Sequence, residues 1–156
     1  MGEKFKVFVY GTLKTGEPNY KVLSETDGEY RFISSGTTVE KFPLVVGTKY
    51  NIPFLLDDAG NGNNIEGEMY EVCEKKLKVL DELEAYPTLY DRKKVEIKLP
   101  SGTTETAFIY LLKSWRPDLL STSSEMMTNY SSLGAHGRPY VDSENLTNEN
   151  EMYEAM

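Results

Sequence analysis

Val7-Phe8-Val9-Tyr10-Gly11-Thr12-Leu13-Lys14-Thr15-Gly16 opens as a strand and closes as a turn. From Lys4 to Tyr10 the chain is β-branched and aromatic, with little polar surface after Lys6, as in a buried strand. Gly11 interrupts it and Gly16 ends the segment. A glycine in that place permits a positive φ, or lets another group approach the backbone closely. Backbone N–H groups exposed at such a turn make a small concave anion site or an oxyanion hole. A strand followed by an ordinary turn has the same local composition. A dinucleotide loop is excluded because Gly-x-Gly-x-x-Gly is absent. Gly11 to Gly16 spans the interval of a P-loop, but no Lys-Ser/Thr follows.

The whole chain narrows the choice further. Its 156 residues suit one domain with a single core. With 39% hydrophobic and 12% aromatic residues it has the material of a folded globule. A formal net charge of −8 argues against a nucleic-acid partner, which needs a basic face. The basic cluster Lys75, Lys76 and Lys78 is interleaved with apolar residues on an expected helix and reads as a solvated face. No apolar run reaches the roughly eighteen residues of a membrane span, and no signal-peptide hydrophobic region opens the chain. Cys73 stands alone, which suits a reducing cytoplasm; it reads as a small buried apolar residue rather than a reactive thiol. One histidine and one cysteine supply a transition-metal site poorly, so neither metal nor cofactor is expected. No long apolar edge or heptad calls for a partner chain, and a monomer is expected.

Taken in order, Pro18 and Asn19 suit the start of a short helix running to Leu23. Tyr30 to Val39 alternates loosely as a strand, and Phe42 to Val46 is a short apolar run. Tyr50 to Leu56 is apolar but contains Pro53, so it reads as an edge strand or ordered loop. After the Gly- and Asn-rich turn 57–64, Ile65, Gly67, Met69 and Val72 alternate with Glu66, Glu68 and Glu71, leaving Tyr70 in doubt. Glu74 to Glu84 reads as a helix, closed by Pro87. Arg92–Leu99 and Thr103–Leu112 form a hairpin through Pro100-Ser101-Gly102. Beyond Trp115 the composition turns to Ser, Thr, Asn and Gly. Residues 113–141 are expected to form an irregular arm packed on a single domain 1–141, and 142–156 a flexible acidic tail. Six or seven largely antiparallel strands with two short helices predict an α+β fold, a small mixed barrel.

One carboxylate stands out. At about 100° per residue, Leu77, Val79, Leu80 and Leu83 define an apolar sector of the helix. Glu84 falls roughly 20° from Leu77 and roughly 40° from Leu80, whereas Asp81 and Glu82 fall outside the sector and read as solvated. A carboxylate turned toward a core is costly unless paired or neutral, and neutrality raises its pKa. Beside a cavity such a group is a candidate general acid or base. At a helix end it can also swing out to solvent or pair with Arg92 or a lysine.

These residues also carry a resemblance. Tyr10-Gly11-Thr12-Leu13 resembles the Tyr-Gly-Ser/Thr-Leu loop of the gamma-glutamyl cyclotransferase-like family. Further segments are similar to its gamma-glutamylamine branch: Gly16–Asn19, Phe42–Val46, Asn51–Leu56, Glu66–Tyr70, Leu80–Glu84, Pro87–Arg92 and Gly134–Tyr140. They run in order along nearly the whole chain. The resemblance implies a small mixed barrel with its cavity at the mouth, a catalytic glutamate at the place of Glu84, and a substrate loop at Tyr10, Gly11, Thr12 and Leu13. It also implies a small γ-glutamyl substrate, such as γ-glutamyl-ε-lysine, released as 5-oxoproline and a free amine. No role is assigned to His136, Tyr90 or Arg92 beyond packing, pairing or substrate contact. Two rival expectations stand beside this one. One is a cyclotransferase for glutathione or γ-glutamyl amino acids; the other is a non-catalytic barrel that binds a small metabolite or a protein.

Overall fold

The computed structural model describes residues 4–48, 51–84, 86, 88, 90–115, 119–132, 134, 136 and 137. The opening stretch forms β1 (Lys4–Val9) and leaves it at Tyr10. Then come α1 (Tyr20–Ser24), β2 (Tyr30–Phe42), the hairpin β3 (Leu44–Gly47) and β4 (Ile52–Leu55), and β5 (Asn63–Cys73). Helix α2 (Glu74–Leu83) precedes a second hairpin, β6 (Tyr90–Lys98) and β7 (Thr104–Leu112), and the short α3 (Leu119–Thr122). Pro87, the end of the arm at 138–141 and the tail 142–156 lie outside the described residues.

Strands β1, β5, β2, β6 and β7 close into a barrel in that order, and β3 and β4 form a separate two-stranded sheet. Neighbours in the barrel are antiparallel except where β7 meets β1, with Phe108 opposite Val7. The expected small mixed, largely antiparallel barrel with short helices is the fold that forms. Pro53 is accommodated on β4 opposite Val46, in a strand with a single partner. No helix among the described residues is long and apolar enough to cross a membrane.

Closure leaves little room inside. Phe8, Ile65, Met69, Ile97, Ala107 and Ile109 fill the barrel. Gly36 and Gly67 face each other across β2 and β5. A Cβ on Gly67 would lie 2.4 Å from the Val9 carbonyl oxygen and 2.6 Å from the Phe8 ring; one on Gly36 would lie 2.5 Å from Ile97 Cγ2. The strand pairing also shifts between Phe32 and Ser34, a bulge that bends β2 around the core.

A second apolar layer lies outside the wall. Val7, Val9, Tyr70, Val72, Tyr110 and Leu112 pack there with Leu23 of α1 and Leu77 and Leu80 of α2. Val72 therefore shares a face with Tyr70, not with Met69 as the alternation suggested. The end of β5 is covered on both sides, and a strand buried on both faces shows no clean alternation. Lys76 is a further correction. Rather than solvated, it is fully buried, and its ammonium donates to the Leu23 carbonyl at 2.6 Å and to the Thr26 carbonyl and hydroxyl at 2.8 Å each. Burial pushes its pKa down. Lys75 and Lys78 remain exposed, so one lysine of three ties α2 to the end of α1.

The placement of α2 follows from the strand register. Cys73 at the end of β5 is opposite Lys4 at the start of β1. From there α2 returns along the wall, packed on β1 and β5. Six strand residues span about 20 Å. Ten helical residues span about 15 Å. The helix therefore ends near the level where β1 gives way to the Tyr10–Leu13 loop.

Beyond β7 the arm is more ordered than its composition suggests. Ser124 and Met127 donate backbone N–H bonds to Val46 and Leu44, and Glu66 donates to the Thr128 carbonyl, each at 2.8 Å. Tyr130 is completely buried, with His136 stacked on its ring.

Two substitutions check these constraints by urea unfolding. Gly67→Ala is expected to lose about 1–3 kcal/mol through overpacking against Phe8 and the Val9 carbonyl. Lys76→Met leaves the Leu23 and Thr26 carbonyls without their donor and is expected to lose a similar amount, about 1–3 kcal/mol.

Candidate active site

Gly11 uses the second of the two options open to a glycine after a strand. Its φ is not in the left-handed region; instead Pro53 of β4 packs where a side chain would begin, with Cγ 3.0 Å from the Cβ position. The left-handed turn comes at Gly16, with φ 83°. Between them the loop is held by its own bonds. Lys14 N–H reaches the Gly11 carbonyl at 3.1 Å, and Asn19 donates to Thr12 through its backbone at 2.8 Å and its side chain at 3.0 Å. The backbone N–H groups of Gly11, Thr12 and Leu13 have no acceptor among the described residues.

The loop is also clamped from two sides. Glu68 of β5 accepts from Thr15 N–H at 2.7 Å, and from the Thr15 and Tyr70 hydroxyls at 3.1 Å each. Opposite, the buried Lys14 ammonium donates to Asn129 Oδ1 at 2.7 Å and to the Tyr130 carbonyl, and Glu17 accepts from Ser132 N–H at 2.7 Å. Of the four predicted loop residues, Tyr10, Gly11 and Leu13 are buried and Thr12 is partly exposed.

Glu84 caps the C-terminus of α2, and its N–H still bonds to the Leu80 carbonyl at 3.0 Å. It keeps some surface as a residue, but its carboxyl is desolvated, and burial pushes its pKa up to about 7. Among the described residues no hydrogen bond or ion pair satisfies that carboxyl. The phenols of Tyr10 and Tyr110 lie within its electrostatic reach. Burial raises the pKa of each, and the nearby Glu84 charge raises it further. Tyr10 Oη donates to the Tyr110 carbonyl at 2.8 Å, so the phenol proton is directed elsewhere. The structure thus brings the Glu84 carboxyl within electrostatic reach of the Tyr10 phenol, where β1 gives way to the loop.

The helix wheel needs one revision. Leu77 and Leu80 are buried, but Leu83 is 41% exposed and Val79 is only partly buried. The buried face is centred between Leu77 and Leu80, flanked by Lys76 on one side and Asp81 on the other. Glu84 lies nearer its middle than the apolar residues alone suggested. Asp81, expected to be solvated, accepts Arg92 Nη1 at 2.5 Å and the Tyr110 hydroxyl at 2.7 Å. Arg92 therefore pairs with Asp81 and not with Glu84.

Other sequence candidates divide plainly. Tyr90 is buried in the outer apolar layer. His136 lies 2.7 Å from the Ser131 carbonyl through Nε2 and stacks on Tyr130, which orders the arm. Cys73 is partly exposed rather than buried. It caps α2, accepts Glu29 N–H at 3.1 Å, and has its pKa lowered, first by the Lys76 backbone N–H. Tyr110 and Asp81 were not singled out from sequence. Tyr110 lies in an apolar run, Phe108 to Leu112, where a tyrosine reads as core, and nothing local to Asp81 announces its partner on β6.

The arrangement offers a desolvated carboxyl poised near neutrality, within electrostatic reach of the tyrosine that opens a loop with spare backbone donors. Comparison with known proteins fits it. A family model described as Gamma-glutamyl cyclotransferase, AIG2-like matches residues 7–131. The chain is 46% identical over 145 residues to a Drosophila melanogaster protein provisionally named gamma-glutamylcyclotransferase, covering 90% of each. It is 40% identical over 146 residues to gamma-glutamylaminecyclotransferase B of Danio rerio, covering 90% of this chain and 75% of that one. The crystal structure of an AIG2-like protein from Mus musculus matches with a TM-score of 0.86 at 37% identity, over 92% of this chain and 99% of that one. The chain belongs to the gamma-glutamyl cyclotransferase, AIG2-like family.

Proposed function

We propose that this enzyme is a gamma-glutamylamine cyclotransferase with Glu84 as its general acid and base. The observation that carries the reading is the desolvated, unpaired Glu84 carboxyl beside Tyr10. The α-amine of the glutamyl group attacks its own γ-carbonyl, forming the ring C–N bond, while the bond from that carbonyl to the leaving amine breaks. The products are 5-oxoproline and a free amine, and γ-glutamyl-ε-lysine would yield lysine. Because the attack is intramolecular, the site has only to fold the substrate and move a proton. Glu84 takes one proton from the α-ammonium and gives it to the departing nitrogen. The second proton, shed by the ring nitrogen once the new C–N bond has formed, passes by the same carboxylate to the released amine, which leaves as its ammonium, so there is no net proton change. With its pKa near 7, Glu84 is a far stronger base than an ordinary carboxylate, which narrows the gap to the more basic α-amine. The spare N–H groups of the Gly11–Leu13 segment would hold the substrate and stabilise the developing oxyanion.

Gamma-glutamyl amino acids and glutathione make a second substrate reading. Their leaving amine carries an adjacent carboxylate that calls for a cationic partner. At the site Arg92 is already committed to Asp81, which favours a side-chain amine as leaving group. A non-catalytic barrel gives no reason to keep an unpaired inward carboxylate. We place the protein in the cytoplasm as a monomer, a reading that rests on its lone cysteine and its lack of a coiled-coil pattern.

Release of 5-oxoproline should be measured from γ-glutamyl-ε-lysine, γ-glutamyl-alanine and glutathione in parallel. The lysine conjugate is expected to be turned over best. Glu84→Gln should lower kcat by about 10² to 10⁴-fold with little change in KM. Unchanged turnover would remove Glu84 from the mechanism, and turnover of the α-amino conjugates alone would reject the substrate. The wild-type kcat/KM should fall as the pH drops through about 7, because the base must be ionised.

The same group has a stability signature. Its folded pKa, near 7, lies above the unfolded value of about 4.3. The folded state therefore binds more protons between those values, and stability falls as the pH rises from about 4.3 toward 7. Glu84→Gln removes that loss. Thermal unfolding should show the variant gaining on wild type from pH 5 to pH 8, and an equal offset at both would contradict the assignment.

A further inference from the structure

Asp81 and Glu84 are three residues apart on α2 and adjoin on one helix face. Their carboxyls are nonetheless in opposite states. Asp81 has a donor on each oxygen, Arg92 on Oδ2 and the Tyr110 hydroxyl on Oδ1. Glu84 has no such partner among the described residues. The arrangement around Asp81 is built into the barrel. Arg92 and Tyr110 are direct cross-strand partners on β6 and β7. The guanidinium is held between the rings of Tyr86 and Phe108, 4.6 and 4.8 Å from their centroids. The Arg92 and Asp81 side chains are only 19% and 21% exposed, so solvent screens the pair weakly.

The titratable groups within electrostatic reach of Glu84 are Tyr10, just past β1, and Tyr110 of β7; Asp81 adjoins it one turn back along the helix and carries Arg92 of β6 and the Tyr110 hydroxyl. An uncancelled guanidinium held one helix turn from Glu84 would favour its ionised form. A loose Asp81 charge would do the reverse and keep Glu84 protonated. We propose that Asp81 and Arg92 form a mutually neutralising pair that fixes Tyr110 and withholds the guanidinium from Glu84. Both are positioning residues, acting through their effect on Glu84 and not by touching substrate. The proposal rests on the reading of Glu84 as the base.

The test is a charge cycle read on Glu84 itself. The Glu84 carboxyl carbon is followed by ¹³C NMR against pH in the substrate-free enzyme, assigned by the signal lost in Glu84→Gln. Asp81→Asn leaves the Arg92 charge uncancelled, and the Glu84 midpoint should fall by about 1 pH unit or more. Arg92→Met leaves the Asp81 charge uncancelled, and the midpoint should rise. Asp81→Asn combined with Arg92→Met should return it to the wild-type value, with the acid limb of kcat/KM following each shift. A midpoint unmoved in both single variants would overturn the proposal, even if stability and kcat fell. A fall in Asp81→Asn that persists in the double variant would also overturn it, since the effect would belong to Asp81 alone. Should Asp81→Asn not fold, the rise or its absence in Arg92→Met decides. Activity retained in Glu84→Gln would defeat the base reading while the titration cycle still reported on the pair. An inactive Glu84→Gln with a flat cycle would defeat the pair alone.

Discussion

The side-by-side course of β1 and α2 is the constraint on which the site depends. Because β5 runs antiparallel to β1 and ends opposite Lys4, the helix that follows must start at the bottom of β1 and climb with it. A helix one turn longer or shorter would move its last residue by about 5 Å and take the carboxyl away from Tyr10. Rotation about the helix axis matters as much as length. Leu77 and Leu80 bury one face against the wall, and Lys76, fastened to the Leu23 and Thr26 carbonyls, keeps that face turned inward. Glu84 falls on that inward face, and its carboxyl is desolvated there.

The loop after β1 is pre-organised by the same economy of rigid neighbours. Pro53 occupies the space beside Gly11, Glu68 grips Thr15, and the arm takes Lys14 and Glu17. The ends of the segment are thus fixed by elements far apart in sequence, while the N–H groups of its middle are left over. Donors held in place before a ligand arrives need not reorganise when charge develops, which is where such donors gain their effect. The arm has a structural role here, since it closes the loop side of the site while pairing with β3.

The sequence showed the fold class, the strand-to-loop change at Tyr10 and Gly11, and the inward turn of Glu84. Each of these depends on local pattern: β-branched runs, a glycine after a strand, and the period of a helix. It did not show Lys76 or Asp81 correctly. A lysine on a helix reads as solvated unless the carbonyls that will receive it are known, and those belong to α1 and the turn after it, some fifty positions away in sequence. Asp81 likewise depends on Arg92 and Tyr110, which only the closing of β6 on β7 brings together. The contacts that hold the irregular arm were hidden for a related reason. Ser-, Thr- and Asn-rich sequence carries no period, yet three backbone bonds suffice to lay it along β3 and β5. Contacts made by topology leave no trace in spacing.

Three carboxylates, Glu68, Asp81 and Glu84, show how environment sorts residues of one chemistry. Glu68 is satisfied by Thr15 and Tyr70, and Asp81 by Arg92 and Tyr110, so both serve as fixed struts. Glu84 alone, among the described residues of this group, keeps an unmet demand for a donor or a cation. On the proposed reading, the α-ammonium of a γ-glutamyl substrate supplies it. Its arrival would favour the ionised carboxylate just when a base is needed, and loss of its proton would remove the cation and restore the tendency of Glu84 to hold a proton. Binding, proton removal and proton return would then follow from one group left without a partner among the described residues.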